Sequence, residues 1–154
     1  MSDEQKPIDP SNDSVTTTVT SNIEYVVVAE DSAPNRQILC LILRKLGFAI
    51  LEFEDGKAAW EAVQNADGRN IVAVVSDLMM PLMDGLEFLR RVRNNEATAN
   101  LPFVLFTAVS DKDYVFEAKS LKVDGYILKP VTYKRVADKM QALFPKRQFP
   151  PMAS

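Results

Sequence analysis

The stretch VVSDLMMPLMDG, residues 74–85, decides how the chain is read. An apolar run ends on the carboxylate of Asp77, and the chain then turns apolar again through Leu78, Met79 and Met80. A buried strand does not readily end in an unpaired charge, because an ion stripped of its water in low dielectric is costly. Asp77 therefore either caps the following turn or faces a site that uses it.

The same arrangement of short apolar run, turn and amphipathic helix recurs on both sides of this stretch. Tyr25–Ala29 reads as a buried strand. A helical pattern follows from Arg36 to Leu46, with Ile38, Leu39, Ile42, Leu43 and Leu46 on one face, Ser32 and Pro34 at its start and Gly47 as its stop. Ala49–Phe53 is the second strand, and Gly56–Ala66 is a helix with Ala59, Ala62, Val63 and Ala66 inward. Val72–Ser76 is the third strand, and the helix Gly85–Asn94 packs through Phe88, Leu89 and Val92. The fourth strand is Pro102–Phe106, followed by the helix Asp111–Leu121 with Val115, Ala118 and Leu121 inward. The fifth strand is Gly125–Leu128, and the last helix, Thr132–Phe144, packs through Val136, Met140 and Leu143. Apolar strands alternating with amphipathic helices predict an α/β fold, a doubly wound five-stranded parallel sheet with helices on both faces.

At 154 residues, 47% hydrophobic and 25% charged, the chain has the composition of one globular domain. Residues 1–22 are rich in Ser, Thr, Asp and Pro without periodicity and read as a disordered tail; residues 23–145 form the domain, and residues 146–154 are expected to be a flexible C-terminal tail. The net charge of −3 is uneven: residues 1–24 carry five acids against Lys6, a local −4, which leaves +1 for the rest. No basic stripe marks a direct nucleic-acid contact. No apolar run approaches the roughly 20 residues of a membrane span, and no secretory signal opens the chain, so no membrane insertion and a cytoplasmic location are expected. The single Cys40 excludes an internal disulfide, and the absence of histidine excludes imidazole catalysis and His-ligated metals.

In open α/β sheets ligands bind outside the carboxyl ends of the strands, at a topological switch point. The first strand ends in Glu30-Asp31, the third in Asp77, the fourth in Thr107-Ala108 and the fifth in Lys129-Pro130. Glu30, Asp31 and Asp77 would repel one another if all were ionised, and a hard divalent cation resolves that. Mg²⁺ suits the set, since it needs few protein carboxylates and leaves room for phosphate oxygens. Lys129 can pair with Asp77 or with a phosphoryl group, and Thr107 can donate a hydrogen bond to it. A carboxylate placed so can attack phosphorus and form an aspartyl phosphate. Taken singly each residue has an ordinary explanation: a cap, a strand-end hydroxyl, a surface lysine. Their convergence on one sheet edge is what favours a site.

In this arrangement the chain resembles the receiver domain of two-component response regulators, close in size to the single-domain, CheY-like chemotaxis type. The acidic pair, the S-D-L-x-M-P-x-M-D-G block, F-T-A and Y-x-x-K-P occur in order between Glu24 and Leu143. The resemblance implies strand order 2-1-3-4-5. It implies that Asp77 is the phosphoacceptor. Mg²⁺ (or Mn²⁺) is then bound by Asp31, Asp77 and the backbone carbonyl of Met79, with Glu30 acting through metal-bound water. Lys129, the Thr107 hydroxyl and the Ala108 N–H contact the phosphoryl group, and Thr107 and Tyr126 form the switch. The Lys129-Pro130 bond matches one often cis in the family. Asp84 is expected to cap a helix, and Met79, Met80 and Met83 to pack. The implied function is phosphorylation by a histidine kinase or phosphotransfer protein, switching a protein–protein surface on the fourth helix, fifth strand and fifth helix. Its candidate residues are Lys119, Lys122, Tyr126, Lys134 and Arg135. The only catalysis implied is the domain's own phosphoryl transfer and autodephosphorylation. With no output domain expected after the last helix, output falls to contact with an unknown protein target or to a relay. Two features depart from the commoner pattern: Glu30 stands where Asp is more frequent, and Met79 and Val109 are apolar beside the path of attacking water, which predicts a long-lived phosphoryl state.

Three other classes compete. A flavodoxin-type binder needs a hydroxyl- and glycine-rich cradle after the first strand, where this chain has EDSAPN. An Asp-nucleophile phosphatase carries a second Asp two residues on, where this chain has Met79. A receiver-fold adaptor that binds partners without phosphorylation ranks lower, because the acid set and Lys129 are intact.

Overall fold

The computed structural model describes residues 22–108 and 112–150. Five strands, β1 (Tyr25–Ala29), β2 (Ala49–Phe53), β3 (Ile71–Asp77), β4 (Phe103–Thr107) and β5 (Gly125–Leu128), alternate with five helices. The helices are α1 (Ala33–Lys45), α2 (Gly56–Gln64), α3 (Gly85–Asn94), α4 (Lys112–Ser120) and α5 (Tyr133–Leu143). All strand pairs are parallel, and the order is β2-β1-β3-β4-β5. Among the described residues no helix is long and apolar enough to cross a membrane. The N-terminal tail expected over residues 1–22 lies, but for Asn22, outside the described residues.

The period-2 alternation of each strand splits the core in two. Val26, Val28, Val75, Val104 and Phe106 face α1 and α5, whereas Val27, Ala29, Val74, Phe103 and Leu105 face α2, α3 and α4. Both faces are covered, so the strands are apolar nearly throughout. Phe88 of α3 and Phe103 of β4 are fully buried and meet edge-to-face at 5.1 Å.

Helix starts follow local chemistry. Ser32, Asp55, Asp84 and Thr132 are N-caps whose side-chain oxygens accept from the N–H groups of Asn35, Ala58, Glu87 and Arg135. Asp84 is thus the cap expected of it, accepting from Glu87 at 2.8 Å.

Several inward faces differ from expectation. Ile38 is 46% exposed, because the buried arc of α1 is turned toward Cys40, which is buried in its place. On α4 only Ala118 is buried, and the half-buried Tyr114 and Leu121 complete the stripe at i−4 and i+3, leaving Val115 exposed. In α2 the large inward residue is Trp60, while Ala62 and Ala66 are half-buried and the helix stops at Gln64. Met80 and Met83 pack against the core, but the Met79 side chain is 55% exposed and does not.

Of the expected flexible tail, residues 146–150 are described and make side-chain contacts, and residues 151–154 lie outside the described residues. Phe149 packs against Phe48 with ring centroids 6.0 Å apart. The Arg147 guanidinium lies 4.2 Å from the centroid of the Phe48 ring, donates to the Gly47 carbonyl at 3.2 Å and pairs with Glu24. Two aromatic rings at the end of α5 and beyond, Phe144 and Phe149, cover Phe48, which would otherwise lie open at that end of the sheet.

Candidate functional site

Strand register brings the site together. Ala29 of β1 is level with Ser76 of β3, so Glu30 and Asp77 follow on adjacent strands. Asp77 is level with Phe106, and Thr107 with Leu128, so Thr107 and Lys129 arrive at the same edge. β3 runs through Asp77 itself, and β4 through Thr107, each one residue beyond its expected end. The edge lies where β1 and β3 adjoin and the connections diverge, the switch point of this strand order.

Glu30 is fully buried, Asp77 is 5% exposed and Thr107 is 3% exposed, while Asp31 is open to solvent. Ligand oxygens of Glu30, Asp31 and Asp77 lie within 4.8 Å of one another. Lys129 reaches across from β5: its Nζ lies 3.0 Å from Glu30 Oε1 and 3.2 Å from Asp77 Oδ2. The pairing of Lys129 with Asp77 was expected from the sequence; the closer contact with Glu30 was not. It depends on two strands far apart in the chain ending level, which no local pattern signals. Asp77 Oδ1 accepts the Leu78 N–H at 2.8 Å, and Glu30 Oε2 accepts the Ser32 N–H at 3.0 Å. Glu30 Oε1 has the ammonium beside it but no well-aligned donor among the described residues.

Burial pushes the Glu30 carboxyl up to about 7, and Asp77 adds to the rise against the Ser32 N–H and Lys129, which oppose it. For Lys129 burial acts downward, but Glu30 and Asp77 outweigh it and hold the ammonium above its ordinary value. The donor set fits a hard cation: three carboxylates, one with a buried oxygen short of donors, meet at an open edge with, among the described residues, one ammonium to compensate them.

The loop after Asp77 is shaped by close approach. A Cβ on Gly85 would stand 2.3 Å from the Asp77 carbonyl oxygen, so α3 can start against the end of β3 only with glycine there. Gly85 N–H donates to the Leu78 carbonyl at 2.8 Å and closes the loop. Met79 stands within this loop, and Ala108 is exposed just past β4. The Lys129-Pro130 peptide is cis. Tyr126 of β5 packs half-buried on the α2–α3–α4 face, and its hydroxyl donates to the Val115 carbonyl at 3.2 Å.

A doubly wound domain with an acidic cluster and a lysine at its switch point is the architecture of CheY-like receivers. The chain belongs to the response regulator receiver domain family, whose family model matches residues 26–141. It is 32% identical over 120 residues to the chemotaxis protein CheY of Pseudomonas aeruginosa, covering 77% of this chain and 94% of that protein. The chemotaxis response regulator CheY4 of Vibrio cholerae has the same fold, with a TM-score of 0.70 at 24% identity over 80% of this chain and all of that one. So does the Mn²⁺-bound form of response regulator Rcp1, with a TM-score of 0.71 at 21% identity over 82% of this chain and 99% of that one. The chain is therefore a receiver of the CheY type, a module of two-component signalling, and carries an acidic cluster of the kind receivers use for divalent metal.

Proposed function

We propose that Asp77 accepts a phosphoryl group from a histidine kinase or phosphotransfer protein and that this switches a protein-binding surface. The observation that carries the reading is the placement of Lys129 Nζ, 3.0 Å from Glu30 and 3.2 Å from Asp77, in a cluster of three carboxylates. An Asp77 carboxylate oxygen attacks phosphorus; the bond to the donor imidazole nitrogen breaks, and the imidazole leaves with the electron pair and takes up a proton. Asp31, Asp77 and the Met79 carbonyl would hold Mg²⁺ or Mn²⁺, with Glu30 behind them through water. Once bound, that ion supplies charge neutralisation for the phosphoryl oxygens. Lys129 moves from the two carboxylates toward the phosphoryl group, and the Thr107 hydroxyl and Ala108 N–H donate to it.

The change is then read by Thr107 and Tyr126, shifting the population between two packings. The surface that changes is α4, β5 and α5. It presents Lys119, Lys122 and Lys134 together with the exposed Phe116 and Leu128. Arg135 borders it and donates to the Pro130 carbonyl at 2.7 Å, next to the phosphoryl-binding Lys129. Such a domain works in the cytoplasm, where a kinase can reach it.

Acetyl phosphate with Mg²⁺, followed by intact mass, tests the chemistry. The wild type should gain one phosphoryl group and Asp77→Ala none. No gain from acetyl phosphate or from a phosphorylated histidine donor would instead favour partner binding without phosphorylation. The phosphoryl state should also persist longer than in fast-cycling receivers, since Met79 offers no polar group to attacking water; Val109, the other residue invoked, lies outside the described residues. Decay of the phosphorylated mass at the rate of the fastest chemotaxis receivers would contradict this.

A further inference from the structure

Arg36 belongs to no motif in the sequence and touches none of the acidic side chains of the site, yet it is built into the wall behind them. It lies on the first turn of α1, and its side chain is only 14% exposed. Its Nη1 donates to the main-chain carbonyl of Glu30 at 2.7 Å. Its Nε donates to Glu52 Oε1 of β2 at 3.2 Å, and Arg44, about two turns further along α1, pairs with the other oxygen of Glu52 at 3.3 Å. The guanidinium is therefore anchored on β2 as it reaches the residue that follows β1, a forked donor geometry that a single ammonium cannot reproduce.

The carbonyl it holds is the one that links Glu30 to Asp31. A peptide unit is planar, so fixing the Glu30 oxygen also fixes the Asp31 nitrogen and Cα. The N–H side of Glu30 is already tied to the Phe53 carbonyl at 3.0 Å, and its carboxylate to Ser32 N–H and Lys129. Asp31, by contrast, is exposed. Its carboxylate depends on the backbone beneath it for its direction.

We propose that Arg36 is a positioning residue for the divalent-cation site, holding the Glu30–Asp31 peptide so that the two acids converge with Asp77. The inference rests on the cation reading given above and adds a residue to it. It makes a prediction of sign. Arg36 is a positive charge close to a cation site; if it acted only as a charge, its removal would relieve repulsion and tighten cation binding. If it positions the peptide, removal must weaken binding despite the lost repulsion, by roughly tenfold, in the range seen when supporting residues of metal sites are removed.

The test is Mn²⁺ titration of the full chain by electron paramagnetic resonance. Wild type, Arg36→Met, Arg36→Lys and Arg44→Met are compared, with metal-free melting curves for each. Arg36→Met should raise the Mn²⁺ dissociation constant about tenfold. Arg36→Lys, which can still donate to the Glu30 carbonyl, should recover part of the loss, and Arg44→Met, which shares Glu52 but does not reach Glu30, should bind as wild type does. Arg36→Met binding Mn²⁺ as tightly as wild type, or more tightly, overturns the proposal. Should Arg36→Met not fold, Arg36→Lys decides: weaker binding than Arg44→Met supports the proposal, and equal binding overturns it. A wild type that takes up no Mn²⁺ removes the cation reading itself, an outcome distinct from a wild type that binds while Arg36→Met binds equally well.

Discussion

At Glu30 two effects oppose each other. Burial and Asp77 favour the neutral acid; the Ser32 N–H and Lys129 favour the carboxylate; the balance lies at about 7, against 4.5 for an unperturbed glutamate. The folded chain therefore binds this proton more tightly than the unfolded chain. The stability that results is fully present below about pH 4.5 and is lost as pH rises through about 7. Glu30→Gln removes the titration. In metal-free buffer the variant should be more stable than wild type at pH 8, and the advantage should vanish at pH 5. Thermal melts in chelator at the two pH values check this, and a difference that is equal at both contradicts it. Glu30 also shows what was and was not legible in the residues themselves. Its place after the first strand was evident from the apolar run before it, and so was its membership of an acidic set with Asp31 and Asp77. That Lys129 reaches Glu30 at 3.0 Å as well as Asp77 at 3.2 Å was not, because it is set by how four strands stagger. Arg36 was invisible for a related reason: its partner is a main-chain carbonyl, and main-chain atoms carry no sequence signature.

Among the elements, the boundaries that mattered were those where strand and site overlap. β3 and β4 each run one residue further than their apolar runs suggested, because Asp77 and Thr107 stay in the ladder while standing at the acidic edge. Helix existence and order followed from periodicity, but faces were less legible where a helix packs at the margin of a sheet, as Ile38 and Val115 demonstrate. One connection between elements is made by a single side chain. The Arg93 guanidinium, at the end of α3, donates to the carbonyls of Ala99, Leu101, Leu121 and Lys122 and to the Asp124 carboxylate. It ties α3 to the loops before β4 and β5 on the side of the sheet away from Asp77. Its side chain is 11% exposed, so the carbonyls it serves are poorly placed to take water instead. Arg93→Ala should cost about 2–4 kcal/mol in urea denaturation. Residual folded protein should still take up phosphate at the wild-type rate, since no residue of the acidic edge is touched. An unchanged denaturation midpoint would show that these bonds are replaced by solvent.

For the whole molecule, a repeated strand–helix pattern was enough to predict a doubly wound sheet, since each amphipathic helix has to cover one side of apolar strands. The strand order came from the family resemblance, because βαβ periodicity alone does not say on which edge a strand is added. The contacts of the C-terminal segment were not legible for a physical reason: Pro-rich, short and without periodicity, it resembles a tail, and only the fold reveals Phe48 open to receive Phe149 and Arg147. Deleting residues 146–154 should therefore lower the melting temperature by several degrees, as the loss of about 1–2 kcal/mol does in a domain of this size. A melting temperature unchanged by the deletion would return the segment to the status of a tail.

The claim on which all of this depends is that the carboxylate ending β3 is the nucleophile. Its location can be read chemically, by reducing the phosphorylated chain with borohydride, which converts an acyl phosphate on aspartate to homoserine, and mapping the peptides by mass. The modification is predicted at position 77 alone, and only after treatment with phosphodonor and Mg²⁺. Homoserine at position 31, at another carboxylate, or nowhere in a chain that has gained phosphate would contradict it.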